Sequence, residues 1–328
     1  MSEQRVCIFG AGAIGSLLGG HLALAGTAVS LVARGRHLEV MRSQGLRLVA
    51  KEGERVAHPR CVGDARELEP QDFVILTVKA PALREAALAV QPLLGPSTVV
   101  VSAANGVPWW YFHRVEGHLA GHRLASVDPD GVLWEKLPPE RTLGCVVHAT
   151  AEIVAPGVAK WSGKEFRLGD PGGALGEPLA QLSRLITAAG LTAPICPDIR
   201  QEVWHKLWGN ASFNPLSVLT GAMLDRLAGD DDSQPTARKM MVEIQAVGER
   251  LGIRFPIDVD RRIGIARAVG PHKTSMLQDL ERGRTLEIDA LLGVVVEMAG
   301  LVGIAVPICE LVLGLVRQRA RVLGLYGR

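Results

Sequence analysis

The stretch Arg5-Val6-Cys7-Ile8-Phe9-Gly10-Ala11-Gly12-Ala13-Ile14-Gly15 decides the fold. Its apolar run reads as a buried strand. It ends in G-x-G-x-x-G and continues into the helical pattern Ile14, Leu17, Leu18, His21, Leu22, Ala25. Strand, glycine turn and helix in that order are the context of a dinucleotide-binding turn. Gly10 permits the tight turn, Gly12 lets a pyrophosphate approach the backbone, and Gly15 lets helix and strand pack closely. The free N–H groups and positive end of the helix, at Ala11, Ala13 and Ile14 as well as the glycines, then face the phosphates.

The next strand, Ala28-Val29-Ser30-Leu31-Val32, ends without the Asp or Glu that would bind a ribose diol in an NAD site. It is followed by Ala33-Arg34-Gly35-Arg36. A guanidinium matches a phosphate with two parallel charge-assisted hydrogen bonds. Arg34, with Arg36 second, is therefore the expected partner of a 2′-phosphate, which points to NADP(H). The alternative is a solvated basic turn ahead of a helix.

Composition bounds the remainder. The 328 residues are 48% apolar, enough for two domains with their own cores. The net charge of +2 gives no electrostatic case for nucleic acid or an anionic membrane. Cys7, Cys61, Cys145, Cys196 and Cys309 are scattered, with no C-x-x-C, which suits buried thiols in the cytoplasm. The polar first residues lead directly into a strand, with no signal or transit pattern. The apolar tract 290–308 is interrupted by Gly293, Glu297, Gly300 and Gly303, and reads as buried helices, not a membrane span. His118 and His122 lack companion ligands, so no metal is expected.

The first half alternates strands and helices, as a doubly wound α/β sheet does. Helices are expected at 36–44, 82–90 and 176–189, and strands at 46–50, 54–57, 73–78, 98–102, 144–147 and 192–196. A hairpin at 151–169 turns at Pro156-Gly157. Residues 107–140, with Trp109-Trp110-Tyr111 and Pro138-Pro139, read as an inserted lobe or long loop over a cleft. From residue 199 helices dominate, at about 200–213, 215–220, 234–251, 258–269, 276–283, 285–300 and 308–323. The expected organisation is a Rossmann-type domain at 1–197 and an all-α domain at 198–328. Helices 285–323 are apolar enough to bury against each other or against a second copy, as a homodimer.

Candidate chemistry sits in four stretches. Lys206, Asn210 and Asn214 are spaced by four on one helical face, and a helix end is expected before Pro215. The bland alternative is a solvated face. A lysine ammonium beside a carbonyl reduced by a nicotinamide can polarise it and donate the proton the new alkoxide needs. Amides bind a hydroxyl or carboxylate without adding charge. Lys79 and Asn105-Gly106 follow strands directly, at the edge where ligands of open parallel sheets bind. In Thr274 to Asp289, Ser275 reads as a helix cap or a substrate anchor, and Asp279 and Arg282 as a surface pair.

Together these pieces resemble the ketopantoate reductase family. The resemblance rests on the glycine turn, Thr77-Val78-Lys79-Ala80, Asn105-Gly106, Trp204-x-Lys206-Leu207-x-x-Asn210-x-x-x-Asn214-Pro215-Leu216, Ser275-Met276-Leu277-Gln278-Asp279 with Glu287 twelve residues after Ser275, and Gly303-Ile304-Ala305-Val306-Pro307. It implies a C-terminal helical domain like that of 6-phosphogluconate dehydrogenase. It implies NADPH-dependent reduction of a 2-oxo acid, ketopantoate, to D-pantoate in pantothenate and coenzyme A biosynthesis. By resemblance Lys206 is the general acid, and Asn105, Asn210, Asn214 and Ser275 bind substrate. Asn105 also meets cofactor, Arg34 and Lys79 contact its phosphates, and Glu287 lies near the nicotinamide ribose and the lysine. Three positions depart: Leu224 stands where relatives often carry asparagine, Trp161 where they often carry histidine, and 107–140 is longer and richer in tryptophan. A paralogous reductase of another 2-oxo acid and an NADP-binding sensor without turnover are the alternatives.

Overall fold

Strand and helix alternate from the start. β1 (Arg5–Phe9) is buried beyond its first residue and leads through the glycine turn into α1 (Ala13–Leu24). β2 (Ala28–Val32), α2 (Gly35–Gln44), the hairpin of β3 (Leu46–Ala50) and β4 (Gly53–Ala57), and short β5 (Arg60–Val62) follow. Then come β6 (Gln71–Leu76), α3 (Leu83–Ala89), β7 (Leu94–Ser102), α4 (Val132–Lys136), β8 (Thr142–Ala155), β9 (Val158–Gly169) and α5 (Gly176–Ala188). The computed structural model describes residues 4–327.

The nine strands form one sheet in the order β4-β3-β9-β8-β7-β6-β1-β2-β5. β5 through β8 of that order pair in parallel around β1, and β8–β9 and β3–β4 pair antiparallel. Continuous apolar runs such as Phe73-Val74-Ile75-Leu76 belong where a parallel sheet is covered on both faces, and all four are buried. The expected strand at 192–196 is reduced to isolated bridges, Glu165 with Thr192 and Leu168 with Ile195. Pro194 and Pro197 have no N–H to donate to a ladder.

The described chain divides into two compact units. The first runs from Gln4 to Ala104 and includes Trp109–Arg123 and Asp130–Ile199; the second holds Asn105–Pro108, Leu124–Pro129 and the chain from Arg200 onward. The tryptophan-rich segment is therefore not a single lobe. Trp109, Trp110, Tyr111 and Phe112 are all fully buried in the first unit, where the Trp109 indole donates to the Leu137 carbonyl at 3.0 Å. Trp110 lies over Gly144, where a Cβ would come within 2.8 Å of its ring. Leu124–Pro129 is tied to the second unit instead, with Ala125 and Ser126 N–H each donating to Glu297 at 2.7 Å.

The second unit is helical: α6 (Ile199–Thr220), α7 (Leu224–Gly229), α8 (Gln234–Arg250), α9 (Val259–Ala268), α10 (Ser275–Glu281), α11 (Val294–Val302) and α12 (Pro307–Val322). α6 does not stop before Pro215 but runs through it to Thr220. Proline removes one helical hydrogen bond, yet Ala211, Ser212, Phe213, Asn214, Leu216, Ser217 and Val218 are all buried, and that packing holds the helix together. The helix expected at 285–300 also differs. Residues 284–287 belong to no helix, and a π-helical turn, Asp289–Gly293, precedes α11. No described helix is long and apolar enough to cross a membrane.

Candidate active site

In the first unit the glycine turn is bound to its neighbours by backbone. Gly10 and Ala11 N–H both donate to the Val32 carbonyl, at 3.2 and 2.9 Å. Gly10 has φ +102°, and a Cβ there would lie 2.5 Å from Val78 Cγ1. A Cβ at Gly15 would overlap the Gly10 carbonyl oxygen and lie 2.5 Å from Thr77 Oγ1. Gly12 is different. A Cβ there would meet no protein atom closer than 4.0 Å, and its φ of −74° strains no residue. Protein packing explains two of the glycines, and the open space at the third suits a ligand lying against the backbone. No side chain caps α1 at Gly12, which leaves its first amides to an anion.

Arg34 is exposed just before α2 and makes no ion pair with any described residue, whereas Arg36 lies 4.0 Å from Glu39. Thr77, which the sequence reading gave no role, donates its hydroxyl to the Gly10 carbonyl at 2.7 Å. It locks the glycine turn to the end of β6. Lys79 directly precedes the 3-10 turn Ala80–Ala82, half-buried.

In the second unit, Lys206 Nζ donates to Asn105 Oδ1 at 2.7 Å, and Asn105 Nδ2 donates to Glu287 Oε2 at 3.4 Å. The two partners fix the Asn105 amide in one orientation, oxygen toward the lysine. Glu287 is buried, with 6% of its surface exposed. Asn105 is placed by its neighbour: Gly106, at φ +89°, leaves no room for a Cβ beside the Ala290 carbonyl, which accepts from Val107 N–H at 3.1 Å. The π-helical turn carrying Ala290 is held in turn by Asp289, which accepts from Arg317 Nε at 3.0 Å and from the Tyr326 hydroxyl at 2.8 Å. Lys206, Asn105 and Glu287 thus come from three separate stretches.

One and two turns beyond Lys206 on α6 stand Asn210 and Asn214. The half-buried Asn210 side chain makes no hydrogen bond with a described residue, so its donors and acceptor are open. Asn214 Nδ2 lies 3.5 Å from Ser275 Oγ. Ser275 is not the cap of α10. That role falls to Thr274, whose Oγ1 accepts from Leu277 N–H at 3.2 Å and lies 2.6 Å from Ser217 Oγ. The Ser275 hydroxyl, released from capping, faces Asn214.

Two thiols of the first unit are silenced by burial. Burial pushes the Cys7 thiol up to about 12 and the Cys61 thiol to about 11, so neither is a thiolate at neutral pH. Trp161 packs its edge against His21, with ring centroids 4.9 Å apart, behind α1.

Two sequence families match this chain. Ketopantoate reductase PanE/ApbA matches residues 6–170, and Ketopantoate reductase PanE/ApbA C terminal matches residues 198–320. The chain belongs to the ketopantoate reductase family. A 2-dehydropantoate 2-reductase of Mesorhizobium japonicum is 51% identical over 98% of this chain and 100% of its own. One from Pyrococcus horikoshii is 26% identical over 96% and 97%. Among solved structures, a putative ketopantoate reductase of Ralstonia solanacearum MolK2 superposes with a TM-score of 0.94 at 43% identity, covering 99% of this chain and 100% of that one. The protein is thus an oxidoreductase of a family that uses NAD(P), with a Rossmann-type first half and a helical second half.

Proposed function

We propose that this enzyme is a 2-dehydropantoate 2-reductase, which reduces the 2-oxo group of ketopantoate to give D-pantoate, with Lys206 as general acid. The observation that carries the reading is the hydrogen-bonded series Lys206–Asn105–Glu287. The name borne by the Mesorhizobium relative supports the substrate. NADPH, when bound, supplies the hydride to the oxo carbon. Lys206 Nζ gives a proton to the oxygen as the carbonyl becomes an alcohol, and regains one from solvent afterwards. Asn105 Oδ1 accepts a hydrogen bond from the Lys206 ammonium and so holds it in place for the transfer. Glu287 holds the amide and stabilises the ammonium before transfer. Asn210, Asn214 and Ser275 bind the rest of the substrate.

For the cofactor, Gly10 to Gly15 would receive the pyrophosphate, Lys79 a phosphate and Arg34 the 2′-phosphate. The unpaired Arg34 guanidinium supports NADPH over NADH. A cytoplasmic biosynthetic enzyme fits a chain whose described cysteines form no disulfide. A second reading, reduction of another 2-oxo acid, is favoured by Leu224, which offers an alkyl group at the half-buried start of α7 where relatives often carry an amide.

Oxidation of NADPH and NADH with ketopantoate, 2-oxoisovalerate and pyruvate tests both readings. Ketopantoate with NADPH should give the highest kcat/KM, and Arg34→Ala should lose about tenfold or more with NADPH and little with NADH. A preference for another oxo acid keeps the chemistry and moves the pathway. Equal losses with the two cofactors would remove Arg34 from the 2′-phosphate.

A further inference from the structure

Arg262 is a half-buried cation that the site described above does not use. It lies on the buried side of α9, between Val259, Ile263 and Ala266. Burial alone pulls its pKa below the ordinary arginine value. Its side chain forms no ion pair or hydrogen bond with any described residue. The acids of its own helix turn are committed elsewhere. Asp258 caps α9 by accepting from Arg261 N–H at 2.7 Å, and Asp260 takes both nitrogens of Arg238, at 2.8 and 3.1 Å. A partly desolvated guanidinium without an anion loses hydration that nothing in the protein replaces, and such groups are normally paired.

The position of the guanidinium shows where its anion belongs. It lies against Gly209 of α6, where a Cβ would overlap Nη2 and come within 3.0 Å of Cζ. Gly209 is three residues from Lys206 and adjacent to Asn210, so it neighbours Lys206 on the helix surface. A glycine in mid-helix costs about 1 kcal/mol relative to alanine, and here the missing side chain is what admits the guanidinium. Charge balance points the same way. Among the residues assigned to the reaction in this unit, Lys206 is offset by Glu287, and Asn105, Asn210, Asn214 and Ser275 are neutral. A 2-oxo acid brings a further negative charge that none of them neutralises.

We propose that Arg262, seated on Gly209, is the subsite for the carboxylate of a 2-oxo acid and selects acids over neutral ketones. The proposal rests on the 2-oxo acid reading above and adds a residue to it. A guanidinium offers two parallel N–H groups to a carboxylate, and an anion arriving there removes the cost of the unpaired cation.

The test compares the 2-oxo acid that the wild type reduces best with its neutral methyl ester, in wild type, Arg262→Gln, Arg262→Lys and Gly209→Ala. In Arg262→Gln, KM for the acid should rise about 30-fold while the ester is unaffected, so that the acid-to-ester ratio of kcat/KM collapses. NADPH affinity, read by tryptophan fluorescence, should stay unchanged. Arg262→Lys should keep part of the ratio. Gly209→Ala should lower it by displacing the guanidinium with its charge intact. A structural role alone would weaken acid and ester together, so an unchanged ratio in Arg262→Gln overturns the proposal. If the wild type reduces no 2-oxo acid, it is the reading of the function that fails. Calorimetry of oxamate, an isostere of a 2-oxo acid, with the NADPH-loaded enzyme then decides: binding weakened tenfold or more in Arg262→Gln supports the subsite, and equal affinity overturns it.

Discussion

The glycine turn and the lysine cluster are built in opposite ways. The turn is backbone from one continuous stretch, fixed by the Val32 carbonyl, the Thr77 hydroxyl and the lack of side chains at Gly10 and Gly15. The cluster is made of side chains from three distant stretches, and its geometry depends on hydrogen bonds between them. A backbone site fails when an atom is added. A side-chain site fails when the reacting atom is removed. Substitutions in the two regions should therefore separate binding, stability and turnover.

The largest effect is expected at Lys206. Lys206→Ala removes the proton donor and leaves the first unit untouched. Its kcat should fall about 100- to 10,000-fold, the usual range for a positioned acid. NADPH affinity should stay within about threefold of wild type, because none of the groups expected to hold its phosphates has changed. Turnover at the wild-type rate would remove Lys206 from the chemistry. A matching loss of NADPH binding would mean that the substitution damages more than a proton donor.

Next in size is a contrast inside the glycine turn itself. Gly15→Ala drives a methyl group into the Gly10 carbonyl and Thr77, and should cost about 1–3 kcal/mol of stability together with NADPH affinity. Gly12→Ala meets no protein atom, so the fold should be unharmed or gain up to about 1 kcal/mol from a stiffer unfolded chain. Its NADPH affinity should nevertheless fall about tenfold, because the methyl group stands where a pyrophosphate approaches. Thermal melts and cofactor titrations on both variants separate protein packing from ligand space. Undiminished NADPH binding by Gly12→Ala would place the pyrophosphate elsewhere.

The same contrast explains what the sequence makes legible. The glycine turn, the buried strands and the amphipathic helices are local patterns, and each can be read from about ten consecutive residues. Lys206, Asn210 and Asn214 share a face by helical spacing alone. That Asn105 links Lys206 to Glu287 is not local: no spacing connects positions 105, 206 and 287, and only resemblance to a family joined them. Pro215 misleads because its local preference to end a helix is outweighed by tertiary burial on both sides. At Thr274-Ser275 either residue suits a cap, and contact with Ser217 selects Thr274. Arg262 looks like any helix-surface arginine until its seat against Gly209 and the missing partner are seen.

The smallest effect concerns two histidines that brace the turn from behind. Gly157 N–H donates to His37 Nδ1 at 2.9 Å, so the His37 proton sits on Nε2, 3.2 Å from Ser16 Oγ, and Ser16 donates to the Ala11 carbonyl at 3.2 Å. His21 donates from Nδ1 to the Ala189 carbonyl at 3.0 Å and buries Nε2 without a hydrogen-bond partner. Burial is the larger cause in both and lowers both pKa values, partly opposed by the bonds to the Ala11 and Ala189 carbonyls. A folded pKa below the unfolded one means that the neutral form is the one folding favours. The stabilisation is complete above the ordinary histidine range near pH 6.5 and is lost as pH falls through the lowered folded values. A proton on His37 Nδ1 would also confront the Gly157 N–H. The melting temperature should therefore drop between pH 7.5 and 5, and His37→Gln should show a shallower drop because its amide does not titrate there. Parallel slopes for wild type and variant would show that His37 stays neutral over that range and that the glycine turn is braced without it.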